Sequence, residues 1–461
     1  MGLFLNRGNQ EFKGVLNSEI YIDKSGMIDV FNSLIGTEQR YACISRPRRF
    51  GKSIAANMLA AYYEKGCDSR ALFEDKKIAQ TANWDRYLNK YDVIRIDMAD
   101  IIAEQNDSAA ALDYIDKWLL KDLDEAFPDM INVDEDEVAT ALDKINTKTG
   151  AQFVIIIDEW DCLFRDEKSN FEIQKRYINF LRALFKGNRS KKFTALAYIT
   201  GILPIKKNNS ESALNNFYEY TMTDPAKLSE YIGFTADEVL GLCQKYNMDY
   251  NEVCAWYDGY SFPKTGHIFG PNSVVCAMLS ESCKNYWSQT VAFNSLSTYI
   301  SMNYDGLRDV IVDLIAGVKR KVNVFGYEND MTSFKNKDDV LTMLIHLGYL
   351  KYNDENSLAV SIGLAFYSAR KEYNVVREMP AGEGFADMVF LPKYNVVKPP
   401  MIIELKWDRD AETAISQIKE KKYPESLGEY KGEVILIGIS YEKDGPDAKK
   451  HHCTIERIEM E

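Results

Sequence analysis

The sequence predicts an α/β protein whose N-terminal part is a doubly wound parallel sheet. Between residues 41 and 200, short apolar runs alternate with stretches of helical period. One run, from Phe153 to Ile157, is apolar throughout, which is typical of a parallel strand covered on both faces. Strands that alternate with helices are typical of the crossover connections within such a sheet.

The individual elements follow from the same periods. Strands are predicted at residues 41–45, 93–97, 153–158 and 193–200, and helices at 54–63, at 171–186 and twice between 109 and 146. The period then becomes helical from 209 to 287, around an irregular aromatic segment at 256–262. A helix with a glycine stop is predicted at 338–349, so we expect a helical lid and a small helical or winged-helix-like module here.

A second α/β pattern begins near residue 352. It predicts a helix at 355–371, strands at 374–378, 386–391 and 401–405, a helix at 411–427, a strand at 434–440 and an edge strand at 454–458. Because its order, α-β-β-β-α-β, differs from the N-terminal order, we expect a separate domain. The expected domains are 1–208, 209–350 and 351–461.

Composition excludes several classes of protein. With 56 basic and 69 acidic residues, the chain has a formal net charge of −13, so bulk charge does not attract nucleic acid and any such contact must be local. The eight cysteines include no C-x-x-C pair, which argues against a disulfide framework and a zinc ribbon. No apolar run suits a leader or a membrane span, so we expect a cytoplasmic protein without a membrane partner.

A loop between the first predicted strand and helix contains the parts of a phosphate site. It reads Arg46-Pro-Arg-Arg-Phe-Gly-Lys-Ser53. Backbone N–H groups and the helix start can hold phosphates, Lys52 adds a charge and Ser53 can bind Mg²⁺. The residues expected to contact the nucleotide are Arg48, Arg49, Phe50, Gly51, Lys52 and Ser53. Taken alone, Gly51-Lys52-Ser53 is more simply a polar helix start.

The loop departs from the usual P-loop pattern at one position. The pattern G-x-x-x-x-G-K-[ST] requires glycine where this chain has Arg46. The second half of the loop remains intact. We expect Arg46, Arg48 and Arg49 to place unusual positive charge at the mouth of the site.

Two other strand ends supply polar groups. Asp158 and Glu159 follow the most apolar strand, where Asp158 can hold Mg²⁺ and Glu159 can orient the attacking water. Thr200 ends the next strand and can place a hydroxyl near the γ-phosphate, although a strand-terminating turn explains it equally well. A solvated strand end explains one carboxylate but not the strand and the loop together, so we expect ATP and Mg²⁺ to bind.

These residues resemble a prokaryotic family of AAA-type ATPase-like proteins. The resemblance rests on four segments, at 21–25, 46–53, 157–161 and 256–260, which read YIDKS, RPRRFGKS, IDEWD and WYDGY. It implies that the chain binds and hydrolyses ATP or GTP. It also implies that arginine in place of the first glycine of the loop, as at Arg46, is usual in the family. It identifies no arginine finger. Such relatives often assemble, which leaves a homo-oligomer open.

A second constellation lies in the C-terminal part. Glu404 and Lys406 are two residues apart on a predicted strand and therefore point to one face. Asp387 lies in the preceding strand, across a proline-containing hairpin that can bring it beside Glu404. Two carboxylates and a lysine suit metal-assisted hydrolysis of a phosphodiester. Glu355 is either a third metal ligand or a helix cap, and Glu-x-Lys by itself is more often a solvated ion pair.

The strand order and these residues resemble the PD-(D/E)XK nuclease superfamily, including the nuclease domain that accompanies the ATPase family. The resemblance implies that Asp387 and Glu404 bind Mg²⁺ or Mn²⁺ and that Lys406 assists the base or stabilises charge. It makes Gln417 and Tyr423 flanking residues near the scissile bond. The basic run at 419–422 offers DNA a local contact. The relatives have a longer helical segment before this domain, so the short junction at 351–355 either fixes the nuclease or leaves it idle.

Together, the two constellations predict an ATPase fused to a Mg²⁺-dependent DNA endonuclease. Nucleotide state is expected to regulate cleavage. The alternative is a nucleotide-dependent switch or signalling ATPase whose C-terminal domain only binds DNA or a protein partner.

Overall fold

The computed structural model describes the chain in two compact units. The described residues are 2–166, 170–205, 214–262, 264–284, 286, 304–315, 320, 322–324, 334, 336–353, 357–360, 373–381, 384–393, 398–407, 411–427, 430–441 and 451–460. The first unit contains residues 1–287 and 322–356, and the second contains 288–321 and 357–461. The first unit thus includes the expected ATPase core and much of the expected lid, and the three-domain division stays a prediction.

A five-stranded parallel sheet forms the centre of the first unit. Its strands are β1 (Tyr41–Ser45), β2 (Asp92–Asp97), β3 (Phe153–Asp158), β4 (Thr194–Gly201) and β5 (Tyr218–Tyr220). They lie side by side in the order β2-β3-β4-β1-β5, and all neighbouring pairs are parallel. Every residue of β1, β3 and β4 is buried, as uniformly apolar runs require. The predicted strands are confirmed to within a residue or two at each end.

Helices connect and cover these strands. They are Gln10–Leu16, Gly26–Asn32, Lys52–Tyr63, Arg70–Phe73, Met98–Gln105, Ser108–Ala126, Val138–Thr149, Cys162–Asp166, Phe171–Phe185 and Asn188–Phe193, with a 3₁₀ turn at Lys77–Gln80. The apolar faces of Ser108–Ala126, Val138–Thr149 and Phe171–Phe185 join the inward side chains of the strands in one core. The predicted alternation of strands and helices is therefore confirmed.

The next part of the first unit contains strands as well as helices. The helices are Ala236–Tyr246, Tyr250–Tyr257, Pro271–Ser280 and Lys337–His346, with a 3₁₀ turn at Ala226–Leu228. The strands are β6 (Phe234–Thr235), β7 (Asp258–Phe262), β8 (Gly266–Phe269) and β9 (Leu350–Asn353). Strand β8 pairs antiparallel with β6 and β7, and β7 pairs parallel with β9. This region is thus a small mixed sheet with flanking helices.

Two predictions in this region have different outcomes. The segment 256–262 is not irregular as expected, because it combines the end of helix Tyr250–Tyr257 with strand β7. Tyr260 and Phe262 are buried in this strand, and two apolar residues at a period of two are too few to predict a strand by themselves. The predicted helix at 338–349 exists as Lys337–His346, and it is followed by Gly348 with a φ of +83°. The glycine stop is confirmed, since this conformation favours glycine.

The second unit contains another five-stranded sheet. Its strands are β11 (Tyr373–Ala381), β12 (Gly384–Pro392), β13 (Met401–Trp407), β14 (Gly432–Tyr441) and β15 (His451–Met460), in that order across the sheet. Only β13 and β14 are parallel among these pairs. Helix Ala411–Glu420 provides their crossover and packs on the sheet through Ala414, Ile415 and Ile418. A 3₁₀ turn at Tyr423–Leu427 follows it, and the predicted edge strand is confirmed as β15.

Other parts of the second unit differ from the prediction or lie outside the described residues. Helix Leu307–Ile315 and the 3₁₀ turn Tyr304–Gly306 belong to this unit. Residues Ser357–Val360 form a strand, β10, although the sequence predicted a helix from 355 to 371. Three of its four residues, Leu358, Ala359 and Val360, form a short continuous apolar run, which fits a strand as well as a helix. The remainder of that predicted helix lies outside the described residues.

No helix among the described residues is long and apolar enough to cross a membrane.

Candidate functional site

The loop between β1 and helix Lys52–Tyr63 has the backbone geometry of a phosphate-binding turn. Gly51 precedes the helix with a φ of +80°, and Arg49 has a φ of +65°. A side chain at position 51 would meet no atom within 4 Å, so the backbone conformation itself requires glycine there. The turn ends at a helix N-terminus, where backbone N–H groups remain available to an anion.

Arg46 lies inside the protein rather than at the mouth of the loop. It is 1% exposed, and its Nη1 donates to the carbonyl oxygens of Ser45 and Tyr220, both at 3.1 Å. Its backbone N–H donates to the carbonyl of Gly201 on β4. Burial lowers the pKa of Arg46 to about 10, so it remains charged at neutral pH. The expectation that Arg46 adds charge at the mouth is therefore wrong.

Arg48 and Arg49 are exposed, as expected for residues at the mouth of the site. Nη1 of Arg49 donates to the carbonyl of Tyr286 at 3.1 Å. Phe50 is buried instead, so only its backbone can face a phosphate.

Lys52 is buried beside the loop that it is expected to serve. Its Nζ donates to the carbonyl oxygens of Arg46 at 3.2 Å and Pro47 at 3.0 Å. The same Nζ lies 3.7 Å from Oε1 of Glu159. Burial lowers the pKa of Lys52, whereas Glu159 and Asp158 oppose that shift. The Lys52 ammonium thus lies between the carbonyl oxygens of the loop and the carboxylate of Glu159.

Asp158 ends β3 with a buried carboxylate that suits a cation. Its Oδ1 accepts the N–H of Glu159 at 3.0 Å, and its Oδ2 is buried without a hydrogen-bond partner among the described residues. Burial raises the pKa of Asp158, while the Ser53 hydroxyl and Lys52 favour its charged form. A buried carboxylate oxygen beside a hydroxyl fits Mg²⁺, which prefers oxygen ligands. The pair Ser53 and Asp158 therefore has the right chemistry for Mg²⁺.

Glu159 is held between two cations. Its Oε2 accepts a hydrogen bond from Nη2 of Arg165 at 2.5 Å, while Oε1 faces Lys52. Its backbone φ of +49° is uncommon for a residue with a side chain, and such strain concentrates at functional sites. Arg165 also lies 3.3 Å from Oδ2 of Asp161, which accepts the backbone N–H groups of Ile202 and Leu203.

Arg165 is a residue that the sequence analysis missed. It lies on the short helix Cys162–Asp166 and reaches the same cavity as Lys52 and Glu159. The spacing of four between Asp161 and Arg165 was the available signal, because such residues meet on one helix face.

Thr200 is placed less favourably than expected. It is fully buried, and its Oγ1 has no hydrogen-bond partner among the described residues. Its carbonyl accepts the N–H of Trp160, which joins β4 to the turn after β3. Thr200 is not among the described residues that line the cavity at the loop. A role of its hydroxyl at the γ-phosphate stays a prediction.

A cavity of about 730 Å³ adjoins the phosphate loop. Its polar lining includes Lys52, Ser53, Asp97, Glu159 and Arg165, and burial raises the pKa of Asp97 to about 6. Its apolar lining comes from the N-terminal segment and from the mixed-sheet region: Phe12, Val15, Ile20, Ile22, Tyr231, Phe234 and Val275. This volume is typical of small-molecule sites, and the mixture of linings suits a ligand with a charged part and a flat apolar part.

In the second unit, Glu404 is buried on β13 and accepts a hydrogen bond from Nε2 of Gln417 on helix Ala411–Glu420. The same Nε2 lies 3.1 Å from the hydroxyl of Tyr423, which is fully buried. The structure thus brings together three of the predicted residues. Gln417 fixes the orientation of the Glu404 carboxylate and is itself held by Tyr423.

The other predicted residues of this constellation are described only in part. Met388 pairs with Ile403 across the antiparallel strands β12 and β13, so Asp387 and Glu404 are the next positions on the two strands. Lys406 follows Glu404 by two residues on β13, on the same face by strand alternation. The side chains of Asp387 and Lys406, and all of Glu355, lie outside the described residues. Among the described residues, no cluster of three or more His, Cys, Asp or Glu is arranged to hold a metal.

Comparison with known families assigns both units. Residues 7–210 match the family model described as a predicted AAA-ATPase, and residues 354–447 match that of the PD-(D/E)XK nuclease superfamily. The chain thus contains a region similar to AAA-ATPase-like domains, followed by a region similar to PD-(D/E)XK nuclease-superfamily domains, as the sequence predicts. The parallel sheet with its loop is a P-loop ATPase fold, and the C-terminal mixed sheet fits the PD-(D/E)XK domain, so the expected fold class is confirmed.

Individual proteins that resemble this chain do so at low sequence identity. A curated protein, an uncharacterized protein in the vnfD 5' region of Azotobacter chroococcum mcd 1, is 22% identical over 287 residues, which are 59% of this chain and 50% of that protein. The chain thus spans about half the length of this curated relative. Among solved structures, Aeropyrum pernix ORC2 in ADPNP–ADP complexes has a TM-score of 0.36 at 11% identity, covering 75% of this chain and 92% of its own. C. elegans PCH-2 has a TM-score of 0.27 at 11% identity, covering 53% and 51%.

Proposed function

We propose that the AAA-ATPase-like domain binds and hydrolyses ATP with Mg²⁺, and that the PD-(D/E)XK domain cleaves DNA under control of the nucleotide state. The observation that carries this proposal is the buried Lys52 ammonium in the wall of a 730 Å³ cavity, 3.7 Å from Glu159. A cation, a carboxylate and a loop of backbone donors are the groups that phosphoryl transfer requires.

The loop is expected to bind the triphosphate through backbone N–H groups at the start of helix Lys52–Tyr63. Lys52 donates to two loop carbonyls and can direct its remaining donor to a phosphate oxygen. Ser53 and Asp158 would hold Mg²⁺, which neutralises phosphate charge. The apolar lining, with Ile20, Ile22 and Phe234, is suited to the base.

Glu159 is expected to orient the attacking water once it is released from its cations. The γ-phosphate carries more negative charge than one carboxylate, so Lys52 and Arg165 are expected to turn from Glu159 toward it. Glu159 then becomes available to accept a proton from water. Arg165 would stabilise charge on the phosphate oxygens from within the same chain.

In the second domain, Asp387 and Glu404 would hold the divalent cation, Mg²⁺ or Mn²⁺, which would activate water for attack on the phosphodiester. Gln417 holds the Glu404 carboxylate in one orientation. Lys406 is expected to stabilise the developing negative charge. The basic run at 419–422 would be the local contact for DNA, and its Lys419 pairs with Glu456 at 2.6 Å.

The test is a cleavage assay on plasmid, linear and branched DNA, with Mg²⁺ or Mn²⁺ and with or without ATP. We expect cleavage that depends on the metal and changes with ATP, and its loss in Glu404→Ala. Glu433→Gln is the matched control, because the Glu433 side chain forms an ion pair with the exposed Arg457 in the same domain. ATP turnover without cleavage of any DNA form would favour the nucleotide switch instead. Persistent cutting by Glu404→Ala would refute the assigned site.

A further inference from the structure

Tyr260 touches the phosphate loop from the side of the mixed sheet. Its ring makes an edge-to-face contact with Phe50, with centroids 5.7 Å apart and planes at 82°. Both side chains are buried, and Phe50 directly precedes Gly51. A change in the backbone of the loop therefore moves a ring that is packed against Tyr260, because close-packed side chains leave little free volume.

The hydroxyl of Tyr260 contacts a second element, helix Lys337–His346. Its hydroxyl donates to the carbonyl of Ile345 at 3.0 Å, in the last turn of helix Lys337–His346. Every residue of this helix from Asp339 to His346 is buried. The same carbonyl accepts the backbone N–H of Gly348 at 3.0 Å, so Tyr260 adds a second hydrogen bond at the end of this helix.

Helix Lys337–His346 leads along the chain toward the nuclease-superfamily domain. Gly348 ends the helix, and β9 follows and pairs in parallel with β7, where Tyr352 is opposite Tyr260. The residues that match the PD-(D/E)XK superfamily begin at 354, directly after β9. Tyr260 thus contacts the phosphate loop, the helix and the strand that immediately precede the second domain.

Arg46 makes an independent connection between the same parts. Its guanidinium donates to the carbonyl of Tyr220, and its charge acts on Tyr260 and on His346. Both ends of the loop therefore interact with Tyr260, Phe50 through its ring and Arg46 through its charge. This arrangement gives a physical reason for arginine where a glycine is usual, because glycine has no side chain to make these contacts.

We propose that Tyr260 is a positioning residue that couples nucleotide occupancy of the phosphate loop to helix Lys337–His346 and strand β9. The inference rests on the proposed binding of ATP to the loop. Phe50 would pass a loop movement to the Tyr260 ring, and the Tyr260 hydroxyl would pass it to Ile345. Because coupling between sites is reciprocal, constraints on the helix would also change the affinity for ATP.

The test compares wild type with Tyr260→Phe, which retains the ring and removes only the hydroxyl. ATP binding is measured by titration calorimetry, and amide hydrogen exchange of residues 337–353 is measured in the full chain with and without Mg-ATP. In wild type we expect ATP to slow this exchange by about 5-fold or more, as typical coupling energies predict. In Tyr260→Phe we expect ATP to bind but the change in exchange to be largely lost.

Two further variants complete the experiment. Tyr246→Phe is the matched control, because its hydroxyl donates to Glu19 at an exposed position in the same unit, and it should behave as wild type. Phe50→Leu weakens the ring contact on the other side of Tyr260 and should reduce the same exchange response. This second variant provides the test if Tyr260→Phe does not fold.

The outcomes separate this inference from the proposed function. An exchange response to ATP that is lost in Tyr260→Phe supports the link even when no DNA is cut, in which case only the nuclease proposal fails. Binding of ATP without any change at residues 337–353, or the same change in Tyr260→Phe and Phe50→Leu as in wild type, overturns the link while ATP binding stands. Failure of wild type to bind ATP overturns both.

Discussion

Nζ of Lys52 lies 3.7 Å from Oε1 of Glu159, so the expected phosphate ligand and the expected water-orienting carboxylate are paired with each other. Arg165 holds the second oxygen of Glu159 at 2.5 Å. In this arrangement the carboxylate is engaged by cations that a triphosphate would attract. Binding of nucleotide and release of Glu159 are thus expected to be one event, which makes each of these three side chains a distinct experimental target.

Lys52→Met should weaken ATP binding by about 100-fold, because it removes a charge beside the phosphates from a site shielded from water. The methionine retains much of the apolar stem, so the loop should keep its fold. Titration calorimetry with Mg-ATP measures the effect. Lys191→Met is the control, since Lys191 forms an exposed pair with Glu38 in the same unit. An affinity for ATP equal to that of wild type would contradict the phosphate role of Lys52.

Arg165→Ala should lower kcat for ATP hydrolysis by about 100-fold, as expected on loss of a charge that stabilises the transition state. The affinity for ATP should change much less, because the loop and Lys52 remain. Steady-state turnover measures kcat, and titration calorimetry measures the affinity for ATP. Arg176→Ala is the control, since Arg176 pairs with Asp113 at an exposed position on another helix. A loss of affinity for ATP with kcat unchanged would indicate a role in binding alone.

Gln417→Leu should lower the rate of DNA cleavage by about 10- to 100-fold, because the Glu404 carboxylate would lose the donor that orients it. Titration with Mn²⁺ should show weaker metal binding in the variant. Gln417→Asn, which keeps the amide on a shorter stem, should recover only part of the rate. Wild-type rates in Gln417→Leu would show that this hydrogen bond does not support cleavage.

The sequence was most informative where burial is uniform. The strands Tyr41–Ser45 and Phe153–Asp158 are predicted to the residue, because a strand covered on both faces is apolar along most of its length. The phosphate loop between strand and helix was equally clear, since glycine and lysine have specific local roles there.

The sequence was least informative where contacts join distant segments. The burial of Arg46 depends on the carbonyl of Tyr220, which is 174 residues away. Strand β7 alternates polar and aromatic residues, and only its pairing with β8 and β9 makes it a strand. Such positions are fixed by tertiary structure rather than by local propensity.

His346 should make stability depend on pH in a defined direction. Burial, with the nearby charge of Arg46, lowers the pKa of His346 to about 4, compared with 6.5 for the free side chain. Between these values the unfolded chain binds a proton and the folded chain does not, so stability is complete above pH 6.5 and falls as the pH decreases toward 4. The loss from this group is about 3 kcal/mol over that range.

His346→Gln should remove this part of the pH dependence, because glutamine does not titrate. The measurement is the free energy of unfolding in urea at pH 7 and at pH 4.5, for wild type and for the variant. Protonation of carboxylates affects both proteins alike, so it cancels when the two pH dependences are compared. His267→Gln is the matched control for replacement of a histidine, since His267 lies at an exposed position beside Asp258 in the same unit. If His346→Gln lost as much stability as wild type on acidification, the buried neutral His346 would not be the cause.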